Sequence, residues 1–370
     1  MKYYLISGEA SGDLHASNLM AAIKLRDQQA QFRAWGGDLM QKQGAEIVKH
    51  YRDLAFMGFL EVVLNLTTIL RNIRFCKQDI LQWKPDVLIL VDYPGFNMRM
   101  AKFAHLHGFK VVYYISPQIW AWKKSRVHAI KKFVDKMLVI LPFEKAFYAK
   151  YDYAVEFVGN PILDALPKEP LDTNQFRAEN KLDNKPIIAL LPGSRKQEIA
   201  KMLSVMLKMV DQFPEYEFAI AGAPSIEDDF YFERMATTKV VLIKNNTQKL
   251  LQASYAALVT SGTATLETAL LNVPEVVCYK GSQISYQIAK RIVDIPYISL
   301  VNLIMNAEVV KELIQNDFTE QNLKTELNKL LSDTNHRTKM LLEYQHLKTV
   351  LGEGGASAKA AAEVLKILKT

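Results

Sequence analysis

Cysteine is scarce in this chain. Cys76 and Cys278 are its only two among 370 residues, far apart and without C-x-x-C spacing, which excludes a disulfide-built fold and predicts two reduced, buried thiols. Long apolar runs are missing as well. The longest, Phe56 to Phe75, is interrupted by Glu61, Asn65, Arg71, Asn72 and Arg74, whereas a spanning helix takes about 20 mostly apolar residues. The opening Met1-Lys2-Tyr3-Tyr4-Leu5-Ile6 runs into polar Ser7-Gly8-Glu9, so no signal-peptide core forms there and a cytoplasmic location is expected. There is no D-x-D triplet after a strand, no H-E-x-x-H and no Walker P-loop, so nothing calls for a metal or a cofactor. No fixed-period repeat is present. A formal charge of +7 suits nucleic acid, anionic lipid or phosphorylated substrates alike, and with no recognisable nucleic-acid module the first is not expected.

What is present is the balance of a folded protein, 49% hydrophobic and 23% charged, in a chain longer than one core usually supports. Short β-rich runs alternate with helical stretches: Tyr3 to Ile6, Val87 to Val91, Lys110 to Ile115, Met137 to Leu141 and Val155 to Val158. A second series follows at Ile187 to Leu191, Phe218 to Ala221, Val240 to Ile243, Ala256 to Val259 and Glu275 to Tyr279. The proline-bearing segment Pro161 to Pro186 reads as a linker between them. Runs that are apolar throughout predict parallel strands covered on both faces, hence an α/β fold with two Rossmann-like domains and an interdomain cleft. The expected domains are residues 1–165, with a C-terminal helix in 346–370 packing back on them or on a partner subunit of a homodimer, and residues 166–345. Ligands of open parallel sheets bind beyond the carboxyl ends of the strands, so functional residues are sought there.

The strand Ile187 to Leu191 ends in Pro192-Gly193-Ser194-Arg195 before a helix. Glycine lets backbone amides approach a phosphate, the helix start is positive, and Arg195 offers a bidentate fork. A capped Pro-Gly turn with an exposed arginine accounts for the spacing equally well. Ser261-Gly262-Thr263-Ala264, with Glu267 one turn on, repeats the arrangement after another strand. The amides suit a second phosphate contact and Glu267 suits ribose hydroxyls, while an ordinary helix cap has the same spacing. In the first half Asp92 ends Leu88-Ile89-Leu90-Val91, placed either to take a proton from a hydroxyl or to cap a turn. Gly8-Glu9-Ala10-Ser11-Gly12-Asp13 holds the matching position after the first strand, although it is not the G-x-G-x-x-G fingerprint. On a helix Phe56, Phe59, Val63, Leu66, Leu70 and Ile73 share one apolar face, suited to core or to acyl chains. Trp120 and Trp122, followed by Lys123, Lys124, Arg126, His128, Lys131 and Lys132, form either a membrane-headgroup contact or a solvated basic face.

These motifs together resemble the lipid-A-disaccharide synthase family of inverting GT-B glycosyltransferases. Further matching stretches are Leu54 to Val62, Tyr114-Ile115-Ser116-Pro117-Gln118-Ile119-Trp120-Ala121-Trp122, Leu141-Pro142-Phe143-Glu144 and Ser299-Leu300-Val301-Asn302-Leu303-Ile304. The resemblance implies transfer of 2,3-diacylglucosamine from UDP to the 6-hydroxyl of 2,3-diacylglucosamine 1-phosphate at the inner face of the cytoplasmic membrane. It implies a catalytic role for Asp92 as base, for Arg195 at phosphate and for Asn302. UDP is expected at Gly193, Ser194, Arg195, Ser261, Gly262, Thr263, Ala264 and Glu267. The acceptor is expected at Gly8, Glu9, Ser11, Gly12, Phe56 and Met57. The family's Pro-Asn-Leu and Gly-His-Pro patterns are here Val301-Asn302-Leu303 and Gly159-Asn160-Pro161. A UDP-sugar epimerase of similar two-domain form is the alternative enzyme, and a non-catalytic module binding RNA or membrane through residues 120–136 the alternative class.

Overall fold

The computed structural model describes residues 1–54, 66–122, 124–235, 238–282, 286, 291, 293 and 295–369. They divide into two compact units, Met1–Asp164 with Glu353–Thr370, and Ala165–Gly352. Residues 346–352 therefore belong to the second unit. The helix carrying them, Thr334–Leu351, buries Met340, Tyr344, Leu347 and Leu351 there before Gly352 stops it.

In the first unit β1 (Lys2–Ile6), β2 (Gln31–Gly36), β3 (Glu46–His50), β4 (Val87–Val91), β5 (Lys110–Tyr114), β6 (Lys136–Val139) and β7 (Glu156–Phe157) form one sheet of order β3-β2-β1-β4-β5-β6-β7. In the second, β8 (Ile187–Leu191), β9 (Glu217–Gly222), β10 (Val241–Lys244), β11 (Ser254–Thr260), β12 (Glu275–Tyr279) and β13 (Lys311–Ile314) repeat that order as β10-β9-β8-β11-β12-β13. Every pairing is parallel. The central strands VLILV and IIALL are buried along their whole length, because helices cover both faces and leave no polar side. In each sheet the strand order reverses at one place, between β1 and β4 and between β8 and β11. There the connections leave in opposite directions, the place beyond the carboxyl ends of the strands where open sheets of this kind bind ligands.

Three strands escape the sequence pattern. β3 and β13 are short charged edges, and β2 carries Arg33, whose guanidinium forks onto Asp79 at 2.9 and 2.7 Å while Tyr4 donates to the same carboxylate at 2.6 Å. The segment expected as a linker is partly built into the second unit. Asp172 caps the Thr173–Glu179 helix by accepting from Asn174 and Gln175, and Phe176 and Leu182 join the core beside β8. At the other end, the Ala356–Leu368 helix lays Ala360, Ala361 and Val364 into the first unit's core beside Leu19 and Ile23 of the Ala10–Lys24 helix. Asp164 holds its start, accepting from the amides of Gly355 and Ser357.

Candidate active site

In the first unit the reversal point is flanked by the segments following β1 and β4. Asp92 and Tyr93 both adopt left-handed backbone, φ 47° and 49°, a costly conformation for non-glycine residues that persists only when neighbours enforce it. The enforcement is visible. The fully buried Asn97 donates from its amide to the carbonyls of Asp92 at 2.7 Å and of Ile6 and Val91 at 3.3 Å, and the Tyr113 hydroxyl donates to the Asp92 carbonyl at 2.6 Å. Neither residue was singled out from sequence, although Asn97 stands only five residues after Asp92.

The Asp92 carboxyl is pushed up to about 6, first by the density of protein around it and then by the charge of Glu9. The residue nevertheless reaches solvent. Glu9 caps the Ala10–Lys24 helix, and Ser11 is exposed in its first turn. Gly8 brings the two segments together. A β-carbon there would lie 2.4 Å from the Tyr93 ring, so only glycine allows this approach. Gly12 is buried against Ser7, and Asp13 serves structure by accepting from the amides of Gly37, Leu39 and Met40.

In the second unit the reversal point is flanked by residues 193–195 after β8 and 261–267 after β11. Gly193 has φ 115°, and Arg195 is the exposed N-cap of the Lys196–Met206 helix, with no ion-pair partner among the described residues. The Ser194 amide donates at 3.1 Å to the carboxylate of Glu198, a residue sequence reasoning passed over although it stands three after the cap, where acidic residues reach back to helix starts. Gly262 caps the Thr263–Leu270 helix; Gly262 and Thr263 are exposed and Ala264 half-buried. Glu267 is raised above the ordinary carboxylate value, chiefly by burial, and accepts from Gln248 at 2.7 Å. Gln248 arrives from the helix after β10 and carried no sequence signal. The Ser261 hydroxyl is spent on the backbone, donating to Ile298 at 3.0 Å.

Asn302, which the resemblance implies has a catalytic role, faces the interior of the second unit. It is fully buried, donates to the Val310 carbonyl and the Glu312 carboxylate at 2.9 Å each, and accepts from the amides of Val309 and Val310 at 2.8 and 3.0 Å. Its amide group is fully engaged within the unit. Glu312 in turn accepts from the amides of Ile298 and Ser299 at 2.9 Å, so the pair holds the turn that the Ser261 hydroxyl meets. Phe56 and Met57 lie outside the described residues, as do Phe59, Val63 and Lys123. Of the expected apolar face, Ile73 packs in the core with Cys76 and Ile80, while Leu70 is exposed, because the buried stripe of the Leu66–Trp83 helix runs through Ile69, Ile73, Cys76 and Ile80. Trp120 is likewise no headgroup residue. It is buried, edge-on to Phe143 at 4.9 Å, and Trp122 is the exposed one, with the Arg126 guanidinium 5.1 Å from its ring centre. Among the described residues no helix is long and apolar enough to cross a membrane.

A repeated β-strand order with helix starts and a carboxylate at the two reversal points defines an α/β protein of the GT-B class, the class of its structural neighbours. The chain is similar in fold to the Neisseria meningitidis UDP-GlcNAc 2-epimerase bound to UDP-GlcNAc, with TM-score 0.71 and 14% identity over 99% of this chain and 100% of that one. It is also similar to the S. aureus MnaA-UDP co-structure, at 0.70 and 14% over 100% and 97%. The chain belongs to the lipid-A-disaccharide synthetase family, whose model matches residues 3–366. Relatives named lipid-A-disaccharide synthase include those of Geobacter sulfurreducens, 36% identical over 98% of this chain and 96% of the relative, and of Coxiella burnetii, 36% identical over 98% of each.

Proposed function

We propose that this chain joins two acylated glucosamines, transferring 2,3-diacylglucosamine from UDP to the 6-hydroxyl of 2,3-diacylglucosamine 1-phosphate with inversion, to give the β-1,6 disaccharide 1-phosphate and UDP. One observation supports it above others: the loops with phosphate-binding and proton-accepting chemistry lie at the two strand-order reversal points. Asp92 is the base that takes the proton of the attacking hydroxyl, with Gly8, Glu9, Ser11 and Gly12 lining the acceptor beside it. Arg195 and the amides at Gly193, Ser194 and Gly262 to Ala264 neutralise the diphosphate as it departs, and Glu267 accepts from the ribose hydroxyls. Asn302 acts at one remove, by holding the turn beside Ser261. Catalysis takes place at an anionic membrane surface that supplies both lipids.

The fold neighbours named as epimerases leave epimerisation as the second reading, at an identity that speaks for fold alone. Incubation with UDP-diacylglucosamine and acceptor separates the two, since disaccharide with released UDP supports transfer and an epimer without disaccharide overturns it. Asp92→Asn is expected to lower kcat by about 10²- to 10⁴-fold, the usual worth of a positioned base, with UDP affinity kept. Because the base works unprotonated and its pKa is raised to about 6, wild-type kcat/KM should fall as pH drops through 6. Undiminished turnover by a folded Asp92→Asn variant removes Asp92 from this role.

A further inference from the structure

The Gly193–Ser194 turn already holds an anion, and it is the protein's own. Gly193 stands at φ 115°, and a β-carbon built on it would meet the Glu198 carboxylate at 2.4 Å, so the oxygen rests directly on the glycine backbone. The same oxygen takes the Ser194 amide at 3.1 Å. Glu198 lies in the first turn of the Lys196–Met206 helix, where negative charge is favoured by the unpaired amides, which are also the groups that favour a phosphate. The neighbouring cations do not neutralise it: Lys196 pairs with Glu227 at 2.7 Å, and Arg195 has no ion-pair partner among the described residues.

We infer that Glu198 is a positioning residue of the donor site, an internal anion that keeps the Gly193–Ser194 niche in shape and yields it to the diphosphate of the incoming nucleotide. This rests on the nucleotide-binding reading of the second unit. Both anions need the same amide at the same glycine, and two negative groups a few ångströms apart repel, so one replaces the other. The carboxylate thereby weakens retention of the nucleoside diphosphate, which favours release of the product, and it does so through phosphate alone.

Calorimetric titration of the full chain and of Glu198→Gln and Glu198→Ala with UDP, uridine and inorganic pyrophosphate tests this. Removing the charge should tighten UDP and pyrophosphate on the order of tenfold, as expected for one unit charge a few ångströms away near a protein surface, and leave uridine unchanged. A carboxylate that merely shaped the loop would not discriminate phosphate from nucleoside. Unchanged or weaker UDP and pyrophosphate binding in both variants overturns the inference. Pyrophosphate binding that tightens in the variants, in a chain that binds no UDP, upholds the competition between Glu198 and a phosphate at this turn and overturns the nucleotide reading on which the donor-site assignment rests.

Discussion

Among the carboxyl groups that burial raises, Asp92 and Glu275 stand in different surroundings. Asp92 keeps contact with solvent and has its backbone pinned by Asn97 and Tyr113, so the raised pKa is available for proton transfer. Glu275, at the start of β12, is fully buried with neither carboxyl oxygen hydrogen-bonded, and burial alone holds it well above the ordinary carboxylate value. Its sign follows from that direction. The folded protein prefers the protonated form, so stability is full below the unfolded carboxyl pKa of about 4.3 and is lost as pH rises toward the raised folded value. Glu275→Gln removes the ionisation at nearly constant shape. It should raise Tm by a few degrees at pH 8 and change it little at pH 4, as read by scanning calorimetry. Equal shifts at both pH values would mean that the carboxyl does not ionise differently on folding. No sequence pattern marks Glu275, because what isolates it is the packing around β12.

At the scale of elements, the six-residue Leu300–Met305 helix is too short to persist through its own propensity. Tertiary bonds hold it: the Ser299 hydroxyl accepts the Asn302 amide, and Asn302 ties the helix to Val309, Val310 and Glu312. Asn302→Ala strands several buried partners, each at about 1–3 kcal/mol, so the second unit should melt earlier and the KM for the donor should rise as the turn beside Ser261 loosens. Loss of kcat at an unchanged Tm would instead return Asn302 to direct contact with substrate. The central strands were legible as continuous apolar runs, and the loops after β1, β4, β8 and β11 could be found by looking just beyond them. β2, β3 and β13 were not legible, since charged strands bury their polar side chains only against partners such as Asp79, which lies 46 residues from Arg33.

For the whole molecule, the chain leaves its first unit at Asp164, builds the second, and returns at Glu353 to finish the first. The returning helix is part of that first core, with Val364 fully buried and Lys136 paired to Glu363 at 2.6 Å. Deleting residues 353–370 should therefore lower the melting transition of the first unit and leave that of the second in place, a contrast that calorimetry resolves. A coincident drop of both transitions would argue that the two units melt as one. The alternation of apolar runs and glycine-bearing turns fixed two parallel sheets and pointed to Asp92 and to Gly193-Ser194-Arg195, because strand burial and turn chemistry act over neighbouring residues. Only the tertiary structure decided which polar groups those turns face: Glu198 in the glycine niche, Gln248 on Glu267, Asn302 and Trp120 turned inward. Those choices depend on partners brought together by folding, up to the 191 residues that separate Asp164 from Gly355, and on burial that no local pattern encodes.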